Sequence, residues 1–464
     1  MPRWQGPGYR TVDKRTTHSD GKRLLHNGLA KAARIRGLGV RPAPATLPRE
    51  RFVLLFGVML VAAAGNTAMQ SLLPAIGRQL RIPDLYVAIA FSLSAVIWVV
   101  MAPYWARRAD KRGRRALMRL GLWGFIASMV VCGAVLAAGL KGLLGTAAVF
   151  VIFMLGRAIY GAFGSASPPA VQAYVAARTE GESRTAALAA IGSSFGLGTI
   201  IGPAVAPLFI FEPLGLSAPM VVFAVIGLLV LLALRLRLPD DTPRTEARGE
   251  IAGYPSIGGI GASASQRDAE PARLSWRDPR VLPWHLVGIV GGHGHAALLG
   301  IIGFLVIDRL SLPLADAQQS IALVLMAGAF ASLFAQWGLI PRLHLQPQGL
   351  VQWGAILAAV GSAITGVAAG LYGITLGFAL ASLGFGLFRP GFTAGASLAV
   401  SQPEQNAVAG MVTSVNGVAF IAAPALGVLL YGLSLPLPFL VVAGLMLALG
   451  AWTTLSFRPS PPAE

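Results

Sequence analysis

Three kinds of side chain in this 464-residue chain stand where an apolar setting gives a polar group chemical leverage. Arg157, in Leu155-Gly-Arg-Ala-Ile-Tyr160-Gly161, lies near the middle of an apolar run. A guanidinium at that depth is costly and is aimed at a cavity or a polar partner, with backbone-bound packing as the competing role. His293 and His295 occupy another apolar run, and imidazole is the side chain whose ordinary titration falls near neutrality. Two positions apart on a helix they project roughly 200° apart, so both cannot face one cavity and at least one is a packing residue. Asp308, at the end of the same run, is the outer alternative for proton binding. No Asp or Glu lies deep in any apolar run: Glu212 and Asp308 stand at ends and Asp316 in or beside a loop. The chain has no G-x-x-x-x-G-K-[ST] loop, no H-E-x-x-H and no paired hydrolytic groups. Its one cysteine, Cys132, excludes an internal disulfide and a cysteine metal cluster. The expectation is a non-enzyme with no catalytic residue, cofactor or metal.

The elements that position these groups follow from hydropathy. With 55% hydrophobic and 12% charged residues, the chain lacks the polar surface of a soluble protein of its length. From Phe52 onward come twelve apolar runs of about 20 residues, the length that crosses a bilayer as a helix: 52–75, 86–105, 116–138, 145–166, 187–210, 216–237, 284–307, 317–337, 349–370, 373–395, 407–431 and 435–457. A stretch rich in Gly, Ser, Pro, Asp and Arg divides six spans from six. The expected organisation is a basic arm over 1–51, helices over 52–237, a cytoplasmic linker over 238–283, helices over 284–457 and a cytoplasmic tail over 458–464.

Net charge of +18, from 37 Lys and Arg against 19 Asp and Glu, would by itself suggest nucleic acid. Its distribution points elsewhere. With both termini cytoplasmic, only Arg78, Arg81, Lys141 and Arg309 fall in outer loops, whereas the reverse orientation strands the basic run from Arg107 to Arg119 outside. The charge is a topology signal, and nucleic acid is not an expected partner. The arm has twelve Lys or Arg, three acidic residues and no signal-peptide core. It is expected to be a solvated cytoplasmic extension near anionic lipid; a transit-like sequence or an overextended reading frame are the alternatives.

A repeat supports the division. Ser193, Gly196, Ile200, Pro203 and Ala204 recur 221 positions on as Ser414, Gly417, Ile421, Pro424 and Ala425, and Pro169 maps onto Pro390. A fixed offset across adjacent spans favours duplication over chance matching of small residues.

Between the second and third spans the chain reads Ala106-Arg-Arg-Ala-Asp110-Lys-Arg-Gly113-Arg114-Arg115. This resembles the G-x-L-A-D-R-x-G-R-R loop of the major facilitator superfamily, with Ala106 and Arg108 as departures. Asp110, Gly113, Arg114 and Arg115 would form a cytoplasmic gate, Gly113 making a tight turn that lets acidic and guanidinium groups pair. The competing role is a positive-inside anchor. Gly198-Thr-Ile-Ile-Gly202-Pro203-Ala-Val-Ala206-Pro207 resembles the G-x-x-x-G-P-x-x-G-G motif of the superfamily's antiporters, and the likeness of Gly198, Gly202, Pro203 and Ala206 implies export. Around Arg157 the chain resembles the fourth-helix motif R-x-x-q-G, with Tyr160 in place of Gln, whose Arg is implicated in proton transfer. The architecture implied by the family lines its cavity with the first, fourth, seventh and tenth spans. Asn66 and Gln70, four apart on one face, with Tyr160 and Asn416, would orient a polar substrate there; interhelical hydrogen bonding is the alternative.

The resemblance covers about 51–457. It implies an all-α integral membrane protein, twelve transmembrane helices in two pseudo-symmetric six-helix bundles. The expected function is proton-coupled efflux of small amphipathic molecules, such as drugs or siderophore-like metabolites, by a monomer in a bacterial inner membrane. Its partners would be the lipid bilayer, the small-molecule substrate and protons. A carrier or facilitator for uptake, or a non-transporting membrane sensor, are the other readings.

Overall fold

The computed structural model describes residues 47–176, 178–179, 181–239, 274–343, 345–401 and 404–456. Most of the arm, the bulk of the linker and the tail lie outside these, as does the Asp110 side chain. Among the described residues, twelve helices are long and apolar enough to cross a membrane. The first six are α1 (Arg49–Gln79), α2 (Asp84–Arg112), α3 (Arg114–Leu140), α4 (Thr146–Ile159, a π turn Tyr160–Gly164, then Ser167–Ala176), α5 (Gly181–Val205) and α6 (Ala218–Arg237). The second six are α7 (Leu282–Leu310), α8 (Leu314–Leu333, with a π turn Phe334–Leu339), α9 (Pro347–Val367), α10 (Leu371–Leu398), α11 (Gln405–Leu433) and α12 (Leu437–Ser456).

Apolar content rather than amphipathic periodicity makes these helices, because outward-facing positions are as apolar as buried ones. Leu229, Leu232 and Leu236 of α6 and Leu445 and Leu447 of α12 are exposed, as suits a lipid-facing belt. The spans match the hydropathy runs closely, with one larger difference. The fourth run was expected to stop at 166, but the chain continues helically to Ala176 because Pro168 and Pro169 fall in the first turn of a restarted helix, where proline is tolerated.

Packing repeats with a period of six helices. α1 lies on α5 and α7 on α11; α3 packs against α4 and α6, and α9 against α10 and α12; α2 meets α4 as α8 meets α10. Contacts between the sets run through α2 with α11, α5 with α8, and α1 with α7 and α8.

Small residues set these distances. A Cβ on Gly202 of α5 would fall 2.9 Å from the Ala68 nitrogen of α1 and closer still to the Ala64 carbonyl. Ala419, 221 positions after Gly198, abuts Gly292 of α7, while Gly198 itself abuts Ala63 of α1. The duplicated register therefore keeps its close approach but exchanges which helix supplies the glycine. On the other side of the second set, Gly354 and Gly361 of α9 interleave with Gly377 and Gly384 of α10, backbone on backbone.

Candidate functional site

Two polar assemblies and one crevice make up the candidate site. The first assembly joins the helix sets at one end. α1 ends at Leu80, the chain turns through Arg81 at φ 56°, and α2 starts at Asp84. That turn brings Arg78 and Asp84 together: Arg78 Nε donates to Asp84 Oδ1 at 2.6 Å and Nη2 to Oδ2 at 2.5 Å. The same guanidinium reaches α7, with Nη1 donating to Asp308 Oδ1 at 2.9 Å and Nη2 to Oδ2 at 3.0 Å. Tyr431 of α11 donates its hydroxyl to Asp308 Oδ2 at 2.7 Å, and Arg78 sits 5.7 Å over the Phe304 ring. One arginine thus bridges a carboxylate of its own helix set and one of the other. Two further contacts reinforce this latched end. Gln318 of α8 donates to the Ser71 carbonyl of α1 at 2.9 Å, and Pro74 of α1 seats against Gly303 of α7.

The crevice lies within the first set. Met59 and Ala62 of α1, Trp98 of α2, Phe125 of α3 and Tyr160, Gly164 and Pro168 of α4 line it. Its shape depends on the π turn. Gly121 and Gly124 of α3 admit Ser167 and Phe163 at distances that no side chain at those positions would allow. The carbonyl of Ala162, which the widened turn leaves available, accepts from Trp105 Nε1 at 2.6 Å and from Ser165 Oγ at 3.1 Å. π turns of this kind cluster at functional sites. Tyr160 is buried, with Trp98 5.2 Å and Phe125 6.1 Å away between centroids. Arg157 is 3% exposed and lies 4.7 Å over Phe91 and 5.2 Å over Tyr160. Its Nε and Nη1 have no hydrogen-bond partner, and neither has Asn66 Oδ1. Gln70 is half-buried one turn beyond Asn66.

The second assembly belongs to the second set. Arg389 of α10 donates from Nε to Asn416 Oδ1 of α11 at 3.1 Å, and Asn416 Nδ2 donates to the Val412 carbonyl at 3.0 Å. Arg389 therefore turns inward to α11 and does not run out to the membrane edge, and both ends of the Asn416 amide are engaged. His295 stacks on Phe385 of α10 at 4.8 Å, a packing role. His293 places Nδ1 2.8 Å from the Ile289 carbonyl. A carbonyl only accepts, so Nδ1 carries the hydrogen of this contact.

At the opposite end from the latch, Gly113 at φ 83° is the whole connection between α2 and α3. Arg114 behind it is buried, and Arg115 donates to the Arg235 carbonyl at the end of α6 at 2.6 Å. In the second set, Arg280 clamps Asp278 at 2.8 Å and Glu404 at 2.7 Å. The Arg280 hydrogen bonds, then those from Ser401, hold the Glu404 carboxyl down to about 2 from 4.5. A depressed carboxyl stabilises above its ordinary range, so this contact is complete above 4.5 and is lost only as pH falls toward 2.

Of the antiporter-like residues, Gly198 and Gly202 press on α1, and Thr67 Oγ1 of α1 reaches the Gly198 carbonyl at 3.2 Å. Pro203 lies in the last turn of α5, and Ala206 is buried where the helix tightens to a 3-10 turn. Sequence reasoning singled out Asp308 but not Arg78, Asp84 or Tyr431. The available signal was the scarcity of charge at that end of the spans. It also passed over His285, buried near Trp276 with both ring nitrogens unpartnered.

The family model of the Major Facilitator Superfamily matches residues 54–364. A stretch of 157 residues, 33% of the chain, is 33% identical to the class D tetracycline resistance protein of Salmonella ordonez, covering 36% of that protein. The chain spans between 36% and 63% of the length of the curated relatives it matches. Among solved structures, a bacterial homolog of the human lysosomal transporter Spinster, inward-facing and unoccupied, superposes with a TM-score of 0.66 at 12% identity, over 90% of this chain and 96% of that one. The human organic anion transporter MFSD10 (TETRAN) gives 0.60 at 20% identity, over 88% and 100%. Twelve apolar helices, six-helix periodicity of packing and a family match over most of the chain place this integral membrane transporter in the Major Facilitator Superfamily.

Proposed function

We propose that the chain is a secondary active exporter that moves small amphipathic molecules across a bacterial inner membrane in exchange for protons, by alternating access. The observation that carries this reading is the Arg78–Asp308 ion pair, which bridges the two helix sets at the end where Gln318 and Pro74 also join them. A contact of that kind can be broken and remade in each cycle. The likeness to a tetracycline resistance protein supports the outward direction.

In this reading residues 52–237 and 284–457 are the two moving halves. The arm over 1–51, the linker over 238–283 and the tail over 458–464 lie on the cytoplasmic face. The latched end is then the outer one, and the state described is closed to the outside. Asp308 must be ionised to hold Arg78, so a proton arriving from outside weakens the closed state. His293, with Nδ1 fixed on the Ile289 carbonyl, is the deep group assigned to proton coupling. Arg157 keeps its proton as a guanidinium and serves cargo rather than proton transfer. Asp110, Gly113, Arg114 and Arg115 act at the cytoplasmic gate.

Dissipating the pH gradient is expected to abolish efflux by cells or oriented vesicles carrying the protein. His293→Gln should leave downhill exchange intact while removing its dependence on the gradient. Accumulation that ignores the gradient in the unaltered protein would refute proton coupling, and net inward flux would refute export.

A further inference from the structure

We propose that Arg157 is the anion-recognising group of the cargo site, and that the cargo is an amphipathic organic anion; this rests on the transport reading and names its substrate class. The argument begins with a charge that the protein leaves unmatched. Arg157 is 97% buried by its 3% exposure, and its Nε and Nη1 donate to nothing. Its neighbours are the Phe91 and Tyr160 rings and the Cys132 side chain, which lies against Gly156. These are surfaces, not counter-charges. No Asp or Glu occurs deep in any span of the sequence. A buried cation with two unmatched donors is costly in a membrane protein, and an anionic group from outside the chain would relieve it.

Geometry shows what that group would meet. Thr146 Oγ1, at the start of α4, donates to the Leu80 carbonyl at the end of α1 at 3.2 Å, so the two helices run in opposite directions from the latched end. On α1 the crevice-lining residues Met59 and Ala62 continue at helical spacing to Asn66. On α4 Tyr160 continues in the same direction to Arg157. Counted from that shared level, Asn66 and Arg157 lie within about one helical turn of each other in height, both on the latch side of the crevice. Asn66 Oδ1 is also without a partner. A guanidinium fork fits a carboxylate or sulfonate through two parallel hydrogen bonds. Phe91, Trp98 and Tyr160 supply aromatic faces for an apolar body beside it. The other deep polar groups, Arg389, His293 and His295, are cationic or neutral, so an amphipathic cation would find no partner of opposite charge.

The test is calorimetric titration of the full chain in lipid nanodiscs with 2-naphthoate, 2-naphthol and 2-naphthylmethylammonium. Naphthoate is expected to bind at least tenfold more tightly than either of the others. Arg157→Gln should weaken naphthoate at least tenfold and leave naphthol unchanged, while Arg157→Lys should recover only part of the loss. Equal or tighter binding of the ammonium probe, no binding of naphthoate, or naphthoate binding untouched by Arg157→Gln would each overturn the proposal. The comparison of ligands on the unaltered protein decides the matter even if the Gln variant does not fold. Flux in proteoliposomes separates the two readings. Naphthoate that binds but is not moved refutes transport alone, and preferential movement of the ammonium probe refutes the anion site alone.

Discussion

Asp308→Asn is expected to open the latched end. The assay is the rate at which a membrane-impermeant maleimide modifies Ser71→Cys in a Cys132→Ser background. Ser71 is fully buried two turns below Arg78, and its carbonyl is tied to Gln318, so its thiol reports passage beneath the latch. In the unaltered latch Arg78 makes two bonds to Asp84 and two to Asp308. Asparagine keeps the shape but removes the charge. Charge-assisted pairs of this kind contribute ~1–2 kcal/mol when half-exposed and partly screened, which translates to labelling about tenfold faster. Asp84→Asn should have a smaller effect, because Asp84 lies in the same helix set as Arg78 and does not hold the sets together. Arg78→Ala should exceed both, leaving two carboxylates facing each other with no cation between them. Labelling unchanged by Asp308→Asn would rule out a gating role for the pair.

The second large effect is expected at the glycines where helices meet through backbone. Gly361→Val would place a Cβ 2.7 Å from both the Ala381 Cα and the Gly377 carbonyl. Gly202→Val would do the same against the α1 backbone at Ala68, 2.9 Å away, and nearer to Thr67 and Ala64. Overpacking a core costs about 1–3 kcal/mol when side chains can move aside; here the obstructing atoms are main chain, and loss of the folded protein is expected. Gly57→Ala is the control, since nothing lies within 4 Å of its added Cβ. It should be neutral or stabilising by up to ~1 kcal/mol through helix propensity. Fluorescence-detected size exclusion and thermal melts of the three variants test the contrast. Folded, equally stable Gly361→Val and Gly202→Val would show that the interfaces yield more than their backbone contacts imply.

Much of this architecture was legible in the sequence because the bilayer imposes a length that hydropathy reveals directly. Gly113 could be located because a one-residue turn between two helices demands positive φ, and it has φ 83°. The small-residue face of α5 was legible too, since Gly198 and Gly202 fall one turn apart. What stayed hidden depends on which helix stands opposite. Arg78 and Asp308 are 230 positions apart, and nothing in either segment specifies the other. Asn416 was expected at the cargo site on its own helix register, but its partner Arg389 on α10 fixes what its amide does. The π turn at Tyr160 was invisible for another reason. One extra residue in a helical turn leaves hydropathy unchanged, and its cause lies in Gly121 and Gly124 on a different helix.

The unequal sharing of Arg78 decides where charge is left when the latched end parts. Arg78 keeps Asp84, while Asp308 loses the bridging guanidinium and keeps the hydrogen bond from Tyr431. A fixed negative charge beside the opening raises the barrier for an anion equally in both directions and lowers it for a cation. It acts as a charge filter and not as a valve, and its range is the Debye length, ~8 Å at physiological salt. Passage of anions through the open state, inward and outward alike, should accordingly grow with ionic strength.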